Sequence, residues 1–283
     1  VSGVVSGPGG LTKDGTGTLN LSGINTYSGT TAVNGGTLQL GASSALSNST
    51  AVSVGSGATF DLNGKTDTIQ SLSGAGTLAI GSGALIADNA ANTTFSGNIT
   101  GTGSLIKQGT GTLTLGSNIA FAGNMSVTAG TLEFTGTMPA LTGTLSLGAG
   151  STLRLTGSDL TVGTIHITGN SVIDFGASSA SILDTTNFII DAGVTLVSIT
   201  NWTNTVDYFF AQGWTGATLG SRGLGSEAQV TFSGYTSSQT AWLGYDHQIT
   251  PAPEPATYGA ILMGAALACI GYRRLRKPLP RAA

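Results

Sequence analysis

Leu11-Thr-Lys-Asp-Gly-Thr-Gly-Thr-Leu-Asn-Leu21 returns 94 residues later as Leu105-Ile-Lys-Gln-Gly-Thr-Gly-Thr-Leu-Thr-Leu115. Its continuation, Val33-Asn-Gly-Gly-Thr-Leu-Gln-Leu40, returns as Val127-Thr-Ala-Gly-Thr-Leu-Glu-Phe134 at the same offset. A third pair, Gly57 to Gly64 against Gly150 to Gly157, is offset by 93. Self-similarity at a fixed offset over three blocks is the mark of a repeat architecture.

A shorter step runs inside the long one. Strand-like quartets begin at Thr18, Thr37, Thr59, Thr77, Thr112, Thr131, Thr152 and Val172, at spacings of 19, 22, 18, 35, 19, 21 and 20. The step of 35 reads as two short steps with one weak quartet between. Each quartet alternates apolar, variable, apolar, as in Leu19-Asn20-Leu21 or Leu153-Arg154-Leu155. Such alternation buries one face of a strand and wets the other. The glycines on either side mark turns.

About twenty residues per step is one coil of a solenoid built from short strands. The expected fold is all-β, a right-handed parallel β-helix of roughly a dozen coils, on the order of 50–60 Å long. Its quartets would stack in register, with their leucines in one apolar column. An antiparallel β-sandwich or prism competes, but it requires no constant step. No helix-period segment interrupts the body, residues 1 to about 250, so βαβ crossovers are not the route to parallel pairing.

Composition narrows the function. Only 8% of the 283 residues are charged, 45 are Gly, and 40% are hydrophobic, with a net charge of −3. A disordered chain would combine few apolar residues with high net charge. Five of the ten basic residues (Arg273, Arg274, Arg276, Lys277 and Arg281) fall at the C-terminus, leaving 5 basic against 13 acidic residues before them. A surface of that sign repels nucleic acid. Cys269 is the single cysteine and lies within an apolar run, so no disulfide is expected in the body. The chain opens at Val1 without an initiator Met or leader, and the reading is of a fragment or processed form.

The run from Leu11 to Leu40, with Gly15-Thr-Gly-Thr-Leu-Asn-Leu-Ser-Gly-Ile-Asn-Thr-Tyr-Ser-Gly29 at its centre, resembles the autotransporter-associated β-strand repeat. Residues 105–134 match less completely, with Asn118 and Phe121 at the Asn and aromatic positions. The resemblance implies the β-helical passenger region of an exported protein. For Asn25 and Tyr27 the expected work is structural: an Asn satisfying backbone groups at a coil corner, a Tyr ring packed on the next coil. Sugar stacking by Tyr27 is the alternative.

From 182 to 250 the pattern weakens and aromatics concentrate. Trp202, Trp214 and Trp242, with Tyr208, Phe209, Phe210, Phe232, Tyr235 and Tyr245, are nine of the eighteen aromatics. A cap over the last coil is expected, since a solenoid's end exposes apolar surface and open strand edges. The alternative is a carbohydrate-binding face in which the three tryptophans contact a glycan.

Residues 251–283 form a third segment. Pro253-Glu254-Pro255 precedes an uncharged apolar run, 256–272, followed by the basic cluster Arg273, Arg274, Arg276 and Lys277. Seventeen residues make a helix of about 25 Å, near the lower limit for a membrane span, with the positive cluster on the cytoplasmic side. This order resembles the PEP-CTERM sorting signal of Gram-negative bacteria, although Ala252 stands where Val is frequent. The resemblance implies transient inner-membrane anchoring, processing by an exosortase-type membrane enzyme, and delivery to the outer surface or exopolysaccharide matrix. It implies a route other than an autotransporter's own β-barrel.

No enzyme emerges from the residues. Asp61, Glu133 and Asp174 share the variable quartet position, and are expected on one face but coils apart, too far for paired acid/base work. Arg154 holds the same position and would screen its neighbours. His166 and His247 stand alone, without metal-ligand spacing. No cofactor, metal or catalytic residue is expected. The reading is an exported structural or adhesive protein, with a polysaccharide-acting β-helix enzyme as a further alternative.

Overall fold

The computed structural model describes residues 1–116, 119–136, 138, 140–177, 180–202, 207–216, 230–232, 240–243 and 248–251. Among these the chain winds as a parallel β-solenoid. Sheet 1 stacks eleven strands from Leu11–Lys13 to Val230–Phe232, and sheet 2 stacks six from Thr18–Leu21 to Ala120–Phe121. Sheet 3 holds ten, beginning at Thr66–Ile69. The middle coils visit the three sheets in turn. Eleven rungs at ~4.8 Å give sheet 1 a height on the order of 50 Å.

The alternation read from the quartets is what packs the interior. Leu113, Leu132, Leu153, Ile173 and Ile199 face one another in register along sheet 1, all buried. Leu38, Phe60, Leu78 and Ile99 do the same along sheet 2. Each fully buried side chain of this kind contributes roughly 1.5–3 kcal/mol.

The quartets therefore occupy two columns, which corrects the single column expected. Those at Thr18, Thr37, Thr59 and Thr77 stack in sheet 2; those at Thr112, Thr131, Thr152 and Val172 stack in sheet 1. The step of 35 is where the pattern changes face. Thr77 pairs with Asn98, a full coil on, whereas Thr112 lies on the next sheet. Alternation says which side chains point inward but is silent on which wall they belong to.

The cross-section also changes along the rod. After Ala120–Phe121 sheet 2 ends, and the strands of sheet 3 lengthen to Leu141–Leu147, Asp159–Ile167 and Ile182–Ile190. Pairing slips between Leu141 and Thr144, where two former sides merge into one strand. Three walls become two. Parallel pairing in sheet 3 runs as far as Tyr208–Gly216, which then pairs antiparallel with Gln248–Pro251.

One corner shows why backbone spacing is so regular. Gly83, Gly103, Gly123 and Gly143 recur every twenty residues, and a Cβ on each would collide with a carbonyl oxygen of the coil below: Lys65, Gly83, Gly103 and Gly123 respectively. Only glycine permits that approach. Among the described residues no helix is long and apolar enough to cross a membrane. The span 256–272 and its flanking motifs lie outside them.

Candidate functional site

The motif shared by residues 11–40 and 105–134 builds a polar corner around a lysine. Lys13 and Lys107 hold equivalent places, each in a strand whose preceding alternate residue is Leu11 or Leu105. Both point inward and are buried, at 6% and 1% exposure. Nζ of Lys13 donates to the carbonyls of Asp14 (2.9 Å), Gly15 (2.8 Å) and Gly35 (2.9 Å). Nζ of Lys107 donates to Gln108, Gly109 (2.8 Å), Ala129 (3.3 Å) and Asn89 (3.5 Å). Gly15 and Gly109 adopt φ of 74° and 70°, the left-handed turn that aims their carbonyls back at the ammonium. Burial lowers the Lys107 ammonium to about 8, with Asp88 opposing the shift. Reasoning on composition missed these residues. The available signal was that two of the five lysines and arginines before the C-terminal cluster sit at repeat-equivalent positions.

Asn25 and Tyr27 are interior. Asn25 accepts from Val5 N (2.8 Å) and donates to Ala45 O (2.5 Å), joining the coils on either side of its own. Tyr27 Oη is 2.6 Å from Thr31 Oγ1, which is 2.9 Å from Thr50 Oγ1, and Thr50 donates to Gly29 O (2.8 Å). A ring so enclosed cannot stack on a sugar. In the second copy Phe121 and Met125 stand at the places of Tyr27 and Thr31, so both hydroxyls are lost together; both replacements are buried. Asn118 lies outside the described residues.

Asp67 lies beside the place where Asn25 meets Ala45. Its carboxylate accepts from Leu46 N (3.0 Å) and Thr68 N (2.8 Å), in a column otherwise continued by Leu85 and Leu105. Burial pushes it up to about 6, with backbone hydrogen bonds from Leu46, Thr68 and Ala45 opposing.

The acidic residues of the quartets are placed differently from the expectation. Asp61 is on sheet 2, at the end of a side-chain ladder: Asn20 donates to Gln39 (3.0 Å), and Gln39 to Asp61 (2.8 Å). Glu133, Arg154 and Asp174 are on sheet 1, on three successive rungs. Glu133 and Asp174 are thus two rungs apart, ~10 Å, rather than separated by many coils. That is just beyond the ~6.5–9.5 Å between the two carboxyl groups of an inverting glycosidase. The partners of Glu133 and Asp174 point the same way. Arg154 lies between them, with Nε 2.8 Å from Asp174. Asn201 Nδ2 (2.7 Å) and Gly176 N (3.0 Å) donate to the other oxygen of Asp174. Burial would raise Asp174, but these hydrogen bonds from Arg154, Asn201 and Gly176 hold it below the usual carboxylate range. Glu133 accepts from Thr114 (3.0 Å) and Thr156 (2.7 Å). These carboxylates are engaged in holding rungs together.

His166 does not stand alone: its Nε2 is 2.7 Å from Asp191 Oδ1 on the neighbouring coil. His247 lies outside the described residues. Among the described residues no three His, Cys, Asp or Glu side chains gather to hold a metal ion. Of the three tryptophans, Trp202 is half-buried and meets Phe175 edge to face, centroids 4.9 Å apart. Trp214 lies in Tyr208–Gly216 and Trp242 in Thr240–Leu243. Phe188 and Phe209 also pack edge to face inside the same end of the rod. Pro253, Glu254, Pro255 and the basic cluster lie outside the described residues.

Comparison with known proteins finds likeness in the repeats. The family described as Passenger-associated-transport-repeat matches residues 11–40 and 105–134. Over 102 residues, 36% of this chain, the sequence is 57% identical to the protein named Adhesin BmaC autotransporter of Brucella suis biovar 1 (strain 1330). The matched stretch is 3% of that protein's length. No solved structure matches. The two stretches related by the 94-residue offset are the two that match the passenger repeat.

Proposed function

We propose that this chain is part of an exported surface protein of a Gram-negative bacterium, in which the solenoid serves as a rod-like structural or adhesive element without enzymatic activity. The observation that carries the reading is the uninterrupted parallel stacking of sheet 1 through both passenger-type repeats. The adhesin named above supports it, because the likeness falls on a protein named as an autotransporter. A repeating polar flank, such as the amides of Asn20 and Gln39 and the carboxylate of Asp61, suits multivalent weak contact with exopolysaccharide.

The finer route follows from the tail. Pro253-Glu254-Pro255, the span 256–272 and Arg273, Arg274, Arg276 and Lys277 are read as a sorting signal handled by an exosortase-type enzyme. The antiparallel strand Gln248–Pro251 lies between Tyr208–Gly216 and Thr240–Leu243, the last strand of sheet 3. Together with the aromatics around it, that strand serves as the cap of the rod.

Expression in an exosortase-bearing Gram-negative host, with and without residues 252–283, tests both levels. Surface exposure is read by protease accessibility on intact cells, and retention by binding to exopolysaccharide-coated beads. The full chain is expected at the surface and on the beads, and the truncated chain is expected to stay inside. Equal surface delivery of both would refute the sorting role. Polysaccharide turnover by the purified chain would refute the non-enzymatic reading. Loss of bead binding on replacing Trp202, Trp214 and Trp242 alone would shift adhesion from the flank to the aromatic end.

A further inference from the structure

Lys13 and Lys107 occupy a position that neighbouring coils fill with aliphatic side chains. Lys13 pairs with Val33, and Lys107 lies between Ala87 and Val127, all three completely buried. An inward lysine in such a column ought to be replaced by one more valine unless something inside requires it. What it meets is a set of carbonyl oxygens. Around Lys107 they come from three successive coils: Asn89 before, Gln108 and Gly109 within, Ala129 after. Around Lys13 they come from its own coil and the next. All of these acceptors are main-chain oxygens.

Such a cage has a definite preference. An ammonium presents three N–H donors and no lone pair, whereas a neutral amine presents two donors and a lone pair that would face an acceptor. Asn89 O also accepts from Gly111 N (2.8 Å), and for the other oxygens losing a charged donor where water is excluded is costly. Burial lowers the Lys107 ammonium only to about 8, so the charged form prevails at neutral pH. The left-handed Gly15 and Gly109 belong to the cage itself, which explains why the two copies share both the lysine and the glycine two residues later.

We propose that each motif corner is a binding site for a primary ammonium ion, with the lysine as its tethered occupant. The ligand class is a primary alkylammonium, since three donors on one small head must reach oxygens from successive coils at once. A quaternary ammonium, which has no N–H, does not satisfy it. The site stitches coils together at an interior corner with a cation the chain carries itself.

Lys107→Ala in the full chain provides the test, because it removes a three-carbon stem and the ammonium, the size of n-propylammonium. Thermal unfolding is followed in n-propylammonium chloride, tetramethylammonium chloride and sodium chloride at equal ionic strength. The variant should melt below the parent and regain several degrees in n-propylammonium only, while the parent gains nothing from it. Equal gains in all three salts would overturn the proposal. So would Lys107→Met, which fills the stem without a donor, melting with the parent. Should Lys107→Ala fail to fold, Lys13→Ala, at the outer coil with one carbonyl fewer, takes its place in the three salts. A gain confined to n-propylammonium again supports the site, and equal gains again overturn it.

Discussion

The two copies of the motif share their sequence but not their walls. In the first, the lysine strand Leu11–Lys13 belongs to sheet 1 and the returning Gly-Thr-Leu strand Thr37–Leu40 to sheet 2. In the second, Ser104–Gln108 belongs to sheet 3 and Gly130–Thr135 to sheet 1. The same thirty residues have been turned by one face of the prism. The motif therefore encodes a local object, a corner with its lysine cage and the strands on either side, and leaves the choice of wall to the coils that precede it. Keeping the cage while rotating the wall is possible because all three walls use the same inward/outward alternation and the same rung spacing.

The copies also differ in how tightly the corner is closed, and substitutions there give the largest contrast. A Cβ at Gly109 would meet Asn89 O at 2.6 Å, whereas one at Gly15 meets nothing within 4 Å. Both residues have positive φ. Gly109→Ala is expected to cost ~4 kcal/mol, from left-handed strain plus overpacking, and Gly15→Ala only ~1 kcal/mol. Equilibrium denaturation of the two variants separates these values, and equal costs would mean the corners are equivalent after all.

Lysine replacement comes next. Lys107→Met should cost ~3 kcal/mol and Lys13→Met somewhat less, in line with four carbonyls against three. Denaturation midpoints that rank the other way would break the link between carbonyl number and stability.

A pH dependence enters through the carboxylate Asp67, which is held by Leu46 and Thr68 rather than by either lysine. Its folded value, about 6, lies above the ordinary 3.8, so the protonated form favours the fold. Stability from this group is fully present below ~pH 4 and is lost as the pH rises through 6, by roughly 2–3 kcal/mol at ~1.4 kcal/mol per pKa unit. Asp67→Asn should flatten that part of the curve in denaturant titrations between about pH 4 and 7. An unchanged slope would assign the dependence to another group.

The smallest effect is the most diagnostic of how the copies diverged. Tyr27→Phe removes one of the two hydroxyl partners of Thr31, leaving Thr50, and should cost ~1 kcal/mol. Adding Thr31→Met installs the pair found in the second copy, Phe121 with Met125, and is expected to recover part of the loss. A double-mutant cycle showing strict additivity would mean the two positions are not coupled.

The sequence was informative wherever its pattern had one physical meaning. Twenty-residue steps and alternate leucines specify stacked strands with a buried face, and that is what Leu132, Leu153 and Ile173 do. Asn25 was legible because an interior amide must find both a donor and an acceptor. Three things were not legible. The change of wall near residue 100 leaves no trace in alternation, so Asp61 was grouped with Glu133 and Asp174 when it faces another way. Lysine reads as a surface charge until the carbonyls around it are seen. His166 finds Asp191 on the next coil, 25 residues along, a separation at which spacing rules for metal or catalytic motifs say nothing.

The stacking of each coil on the one before has a kinetic side. Nearly every non-local hydrogen bond joins residues about one coil apart, as Gly41 N to Leu21 O or Thr168 N to Leu147 O. Loop closure is therefore met in equal, modest instalments, and a finished coil offers a ready edge to the next segment. A chain of this design need not be complete before it begins to fold. It grows from whichever end is free, and each added turn makes the retreat of the last one less favourable.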